Sequence, residues 1–179
     1  KAFDKIVAKA GGTSTSLPGR WHLNYEIEAE TIKHHDPIPL ILHAILEQSS
    51  LHKHSGKLFS ILSELYNNAL DHGLLALDSS LKRASNGFEN YYAQRVTALE
   101  QLTTGKISFR ITYDATDKNG SIVIEVLDSG AGFDHQSTSI ANSADAMLYG
   151  RGIMLLQSIC ENIEYLGNGN HVRAEYRWA

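Results

Sequence analysis

The stretch WHLNYEIEA (21–29) alternates without a break. Trp21, Leu23, Tyr25 and Ile27 fall on one side, and His22, Asn24, Glu26 and Glu28 on the other. A period of two with one apolar side is a half-buried strand. KISFRITYDA (106–115) and SIVIEVLD (121–128) are two more strands, joined through DKNG, a hairpin turn. ENIEYLG and NHVRAEYRW close the chain around a second hairpin turn, GNGN.

Helices supply the cover. In HHDPIPLILHAILEQSS (34–50) Pro37 or Pro39 opens a helix running to about Gln48. A second helix spans roughly 55–72, with Leu58, Ile61, Leu62, Leu65 and Ala69 on the 3.6-residue period and Gly73 as its stop. Phe88, Tyr92, Val96, Leu99 and Leu102 predict an amphipathic helix whose apolar face is this set, after a polar loop at Ser85, Asn86 and Gly87. A last helix covers about 151–163, burying Ile153, Leu156, Cys160 and Ile163. The order β-α-α-α-β-β-α-β-β predicts an α/β two-layer sandwich: a mixed, mostly antiparallel sheet with helices on one face.

With 179 residues, 42% of them apolar and 20% charged, the chain has room for one core. GGTSTSLPGR (11–20) reads as a linker, so residues 1–20 are an upstream tail and linker and 21–179 a single domain. Because residue 1 is Lys, the chain is expected to be a piece of a longer protein. A net charge of −4 argues against a general nucleic-acid binder. The single cysteine, Cys160, excludes an intrachain disulfide and fits a reducing, cytoplasmic compartment. No apolar run is long enough for a membrane span.

Three segments carry chemistry. In ELYNNALDHG (64–73), Glu64, Asn68 and His72 follow one another at steps of four, a stripe along one helix face opposite the apolar set. A carboxamide oxygen at Asn68 is a neutral ligand for Mg²⁺, and the carboxylate one turn earlier can orient or deprotonate a nucleophile; a solvated helix face is the alternative. LDSGAGFD (127–134) follows a strand, so Asp128 sits where a strand ends and can accept a hydrogen bond from an exocyclic amine such as that of adenine. Gly130 and Gly132 let a flat ligand approach the backbone; a plain turn is the alternative. In YGRGIMLL (149–156), Gly150 and Gly152 flank Arg151 at a helix start, an arrangement that offers N–H groups and a guanidinium to phosphate.

In this order, ExxxNAxxHG, DxGxGF and GRGxxL resemble the N, G1 and G2 boxes of the GHKL ATPases, over roughly residues 21–179 and with the element order of their Bergerat fold. The chain is most similar to the anti-sigma-factor serine kinase branch, and within it to C-terminal domains of bacterial regulators with receiver and PPM-phosphatase domains. The resemblance implies a serine/threonine kinase that moves the γ-phosphate of Mg·ATP to a serine of an anti-anti-sigma, STAS-type partner. It implies Glu64 as general base, Asn68 as Mg²⁺ ligand and Asp128 as adenine reader. Gly130, Gly132, Phe133, Gly150, Arg151 and Gly152 would shape the nucleotide site, and residues 134–149 the lid. His72 would touch the lid or phosphate region, or serve structure alone. A sigma factor is a further expected partner, and homodimers are common in this branch.

Two departures stand out. About thirty residues, 74–105, intervene between the N box and the next strand, as a cover for the core or as a partner or dimer surface. His171 stands where these kinases often carry a threonine near adenine. The alternatives are a nucleotide-gated, sigma-factor- or partner-binding module without kinase activity, and a histidine kinase catalytic domain. HHDPIPL faintly resembles a phosphoacceptor box at His35, with the wrong proline spacing and no dimerisation hairpin before it. The remaining histidines show no metal-ligand spacing.

Overall fold

The structure is a computed structural model that describes residues 19–78, 86–116, 119–132 and 151–179. Its elements are β1 (Arg20–Glu28), α1 (Ala29–Ile32), α2 (Ile38–Leu46), a 3₁₀ segment (Ser49–His54), α3 (Ser55–Asn67), a π-helical segment (Asn68–Leu74), α4 (Gly87–Gln101), β2 (Lys106–Ala115), β3 (Gly120–Asp128), α5 (Arg151–Ile159), β4 (Asn162–Leu166) and β5 (His171–Trp178). The strands form one sheet in the order β1-β2-β3-β5-β4. Every pairing in it is antiparallel.

Period-two patterning sets the two faces. Ile107, Phe109, Ile111 and Tyr113 of β2 are buried beside Ile122, Ile124 and Val126 of β3 and Val172, Ala174 and Tyr176 of β5. The alternate residues make a wet face crossed by ion pairs such as Lys106 with Glu26 at 2.9 Å. Helix α3 lies on the apolar face, sending Leu58, Ile61, Leu62, Leu65 and Tyr66 into the core and packing against α2, α5 and β3. Phe109 sits under it, 6.2 Å between ring centroids from Tyr66. Just before α2, Asp36 accepts the Ile38 N–H at 2.9 Å, with Pro39 following in the first turn. Tyr113 and Tyr176 tie the 3₁₀ segment down, their hydroxyls bonding Ser50 at 2.9 Å and His54 at 2.7 Å. The Cys160 thiol is pushed up to about 11 by burial, which leaves it unreactive.

Three expectations need correction. Helical winding does not stop at Gly73 but passes through it as a π turn, in which the Leu75 N–H donates to the Leu70 carbonyl, five residues back, at 2.8 Å. Helix α5 ends at Ile159, so Ile163 belongs to β4. The expected apolar face of α4 is the larger difference: Leu99 and Leu102 pack against the core, but Phe88, Tyr92 and Val96 are 55%, 60% and 57% exposed, and the buried side chain is that of Tyr91. Phe88→Ser and Val96→Ser are therefore expected to change urea-unfolding free energy by less than about 0.5 kcal/mol. A loss of about 2 kcal/mol, the size seen for core truncations, would put the stripe in the core instead.

Candidate functional site

Three separated stretches meet at one end of the sheet. Asp128 ends β3 and is 5% exposed. Its N–H donates to the Asn170 carbonyl at 3.0 Å, and its own carbonyl accepts the Asn170 side-chain amide at 3.1 Å. The β4–β5 turn is thus bound to the end of β3 through both main-chain groups of the aspartate. Its carboxylate accepts the Gly130 N–H on Oδ1 at 2.8 Å, leaving Oδ2 for a ligand donor. Burial pushes the Asp128 pKa up against the opposing pull of the Gly130 N–H.

Glycines are what let the stretches meet. A Cβ at Gly73 would fall among the carbon and both oxygens of the Asp128 carboxylate. One at Gly130 would strike the Gly73 carbonyl. The end of the N-box helix therefore presses backbone-first on the G1 turn, a closeness no side chain permits. Gly132 has φ +81°, a left-handed conformation, and a Cβ there would meet Asn168. Asn168 also donates to the Ala131 carbonyl at 2.5 Å, so the β4–β5 turn holds the G1 loop at two points.

The third stretch arrives from α5. A Cβ at Gly152 would collide with the Glu64 carboxylate, so the first turn of α5 lies against the side chain read as a general base. The positive dipole end of α5 accordingly stands beside that carboxylate. Asn68 is half-buried one turn later, at the junction of α3 and the π turn. His72 is half-buried, and its Nδ1 bonds the Leu77 carbonyl at 3.0 Å, which ties it to the chain leaving the helix. Phe133, Gly150, the lid stretch 134–149 and the Arg151 side chain lie outside the described residues.

Among the described residues no group of three or more His, Cys, Asp or Glu side chains could hold a metal by itself. The half-buried Asn68 carboxamide is a neutral oxygen donor of the kind Mg²⁺ accepts beside water and phosphate oxygens. Gly130 and Gly132 turn toward the Gly73 carbonyl and Asn168, so their lack of side chains serves the close packing of the turn around the Asp128 carboxylate.

Four residues of this junction carried no function in the sequence reading. Asn168 and Asn170 were turn residues of GNGN, and only the closed sheet puts them against Asp128 and Ala131. His171, at the position where the resembling kinases often carry a threonine, turns to the wet face and bonds Glu125 at 3.0 Å; Asn170 bonds the Asp128 main chain. Gly73 looked like a helix stop and is a contact. Asp71 is 8% exposed, a buried charge with no local signal.

No described helix is long and apolar enough to cross a membrane, and among curated proteins none matches the sequence. A family model described as the histidine kinase-like ATPase domain matches residues 29–176. That span takes in the whole junction of N-box helix, G1 turn and α5, and the chain belongs to the histidine kinase-like ATPase domain family.

Proposed function

We propose that this ATPase domain is a serine/threonine protein kinase of the anti-sigma-factor type. In this reading it moves the γ-phosphate of Mg·ATP to a serine of an anti-anti-sigma, STAS-type protein, and a sigma factor is its further partner. One observation carries the reading: the Glu64 carboxylate occupies the space that a side chain at Gly152 would take. A general base in contact with a phosphate-binding helix start is what transfer to a hydroxyl requires.

Each residue has a stated task. Asp128 accepts the adenine amine on its open oxygen, and Gly130 and Gly132 give the turn the close packing that holds this carboxylate in place. The N–H groups at the start of α5, with Gly150, Arg151 and Gly152, hold the phosphates. Asn68 offers one oxygen to Mg²⁺, which when bound offsets the phosphate charge. Glu64 takes the proton from the serine hydroxyl as its oxygen bonds to the γ-phosphorus, and ADP leaves with the electrons of the broken bond. Incubation with γ-labelled ATP and a cognate STAS protein is expected to label the STAS serine. No label, with nucleotide binding intact, would overturn the kinase assignment.

Nucleotide binding has its own readout. ATP with Mg²⁺ at a hundred times its Kd is expected to stabilise the domain by about 2.7 kcal/mol, seen as a raised Tm. An unchanged Tm at millimolar Mg·ATP would mean that the pocket has lost its ligand.

A further inference from the structure

Among the described residues only Asp71 and Asp128 are buried charged side chains. Asp128 faces the turn at Gly130. Asp71 points to the other side of the N-box helix, into α4: its Oδ2 accepts the Tyr91 hydroxyl at 3.0 Å and its Oδ1 the Arg95 Nε at 2.6 Å. A buried carboxylate that loses its partners is strongly destabilising, so this turn and α4 hold each other in place. Burial and the Asp71 charge raise the Tyr91 pKa well above the usual phenol range, which keeps its proton on the hydroxyl as the donor in this bond.

The position of Asp71 matters. It lies three residues after Asn68, inside the π turn Asn68–Leu74 that begins with that asparagine. A π turn is a rare winding, and here its central side chain is gripped from outside by a helix that enters from the stretch 74–105. The same helix leaves Phe88, Tyr92 and Val96 in solvent. Its cover of the core is therefore narrow, through Tyr91 with Leu99 and Leu102 at its far end.

We propose that Asp71, Tyr91 and Arg95 form a positioning clamp through which α4 fixes the π turn so that Asn68 presents its oxygen to Mg²⁺. This rests on the reading of Asn68 as the metal ligand given above. Supporting shells of this kind are commonly worth 10–100-fold in metal affinity. The clamp gives the intervening stretch a task beyond covering the core: it sets the metal turn of the N box.

The test is a Mg²⁺ titration at fixed fluorescent ATP analogue, with the metal-free affinity measured in parallel in EDTA. Arg95→Ala is expected to move the Mg²⁺ midpoint up about tenfold, the lower end of the range for such supporting residues, and Tyr91→Phe, which removes one hydrogen bond, about threefold, with metal-free affinity held within about twofold. A lower Tm with an unmoved Mg²⁺ midpoint in both variants would reduce α4 to a cover and overturn the clamp. If Arg95→Ala does not fold, Tyr91→Phe, which removes one oxygen, decides alone. Asn68→Ala is the control: loss of the Mg²⁺ effect there with none in the clamp variants overturns the clamp only. A full Mg²⁺ effect in Asn68→Ala overturns the metal reading and the clamp together.

Discussion

Glu64→Ala is expected to abolish phosphoryl transfer to the STAS serine, lowering the single-turnover rate about 10²–10⁴-fold, the usual worth of a positioned general base. ATP affinity should stay within about threefold, because in this reading the base acts on the acceptor hydroxyl and binds no part of the nucleotide. The split between the two readouts carries the test. Glu64→Gln keeps the volume against Gly152 and removes only the basicity, so a matching loss there excludes a packing effect at the start of α5. Rates come from label transfer and affinities from fluorescence titration. Transfer that survives both substitutions would mean that another group takes the proton. Unchanged regulation without any transfer in the wild type would favour the nucleotide-gated binding module.

Gly73→Ala should have the largest effect on binding and fold together. Its Cβ would fall on a carboxylate that cannot step aside, since Asp128 is buried, accepts the Gly130 N–H and is tied at both main-chain groups to Asn170. Relief requires the N-box helix end to lift from the G1 turn. Overpacking of this kind costs about 1–3 kcal/mol, and a domain of this size loses about 2–4 °C of Tm for each kcal/mol. Because the displaced group is the adenine reader, ATP affinity should fall by more than about tenfold, the equivalent of 1.4 kcal/mol. Gly56→Ala is the matched control. A Cβ there meets nothing within 4 Å, and the helix start should gain about 0.4–1 kcal/mol from the loss of unfolded-chain freedom. A Gly73→Ala variant as stable and as tight for ATP as the wild type would mean that the close contact is not required.

Much of this site was legible in the chain because its pieces are local. A box is a short string whose spacing already fixes geometry: a helix step of four, a strand that ends at an aspartate, two glycines before a helix. Glu64, Asn68, Asp128 and Gly152 therefore stood out without coordinates. Contacts between boxes were not legible. Gly73 against Asp128 joins residues more than fifty positions apart, and the stop signal that a glycine gives after a helix hid the contact it makes. Asn170 and His171 differ by one residue, and in a strand one residue is the other face. Only the β3–β5 register decides that Asn170 touches Asp128 while His171 meets Glu125.

By itself the sequence determined the layer architecture and the helix that carries the acid and the amide, because alternation, 3.6-residue periodicity and glycine spacing are properties of neighbouring residues. The tertiary structure alone decided which side of α4 is inside. Phe88–Tyr92–Val96 and Tyr91–Arg95–Leu99 are both helical stripes, and hydrophobicity favours the first. The second won because Asp71, buried at the end of the N-box helix, needs a hydroxyl and a guanidinium within hydrogen-bond reach, and an unpaired buried carboxylate costs more than an exposed aromatic ring.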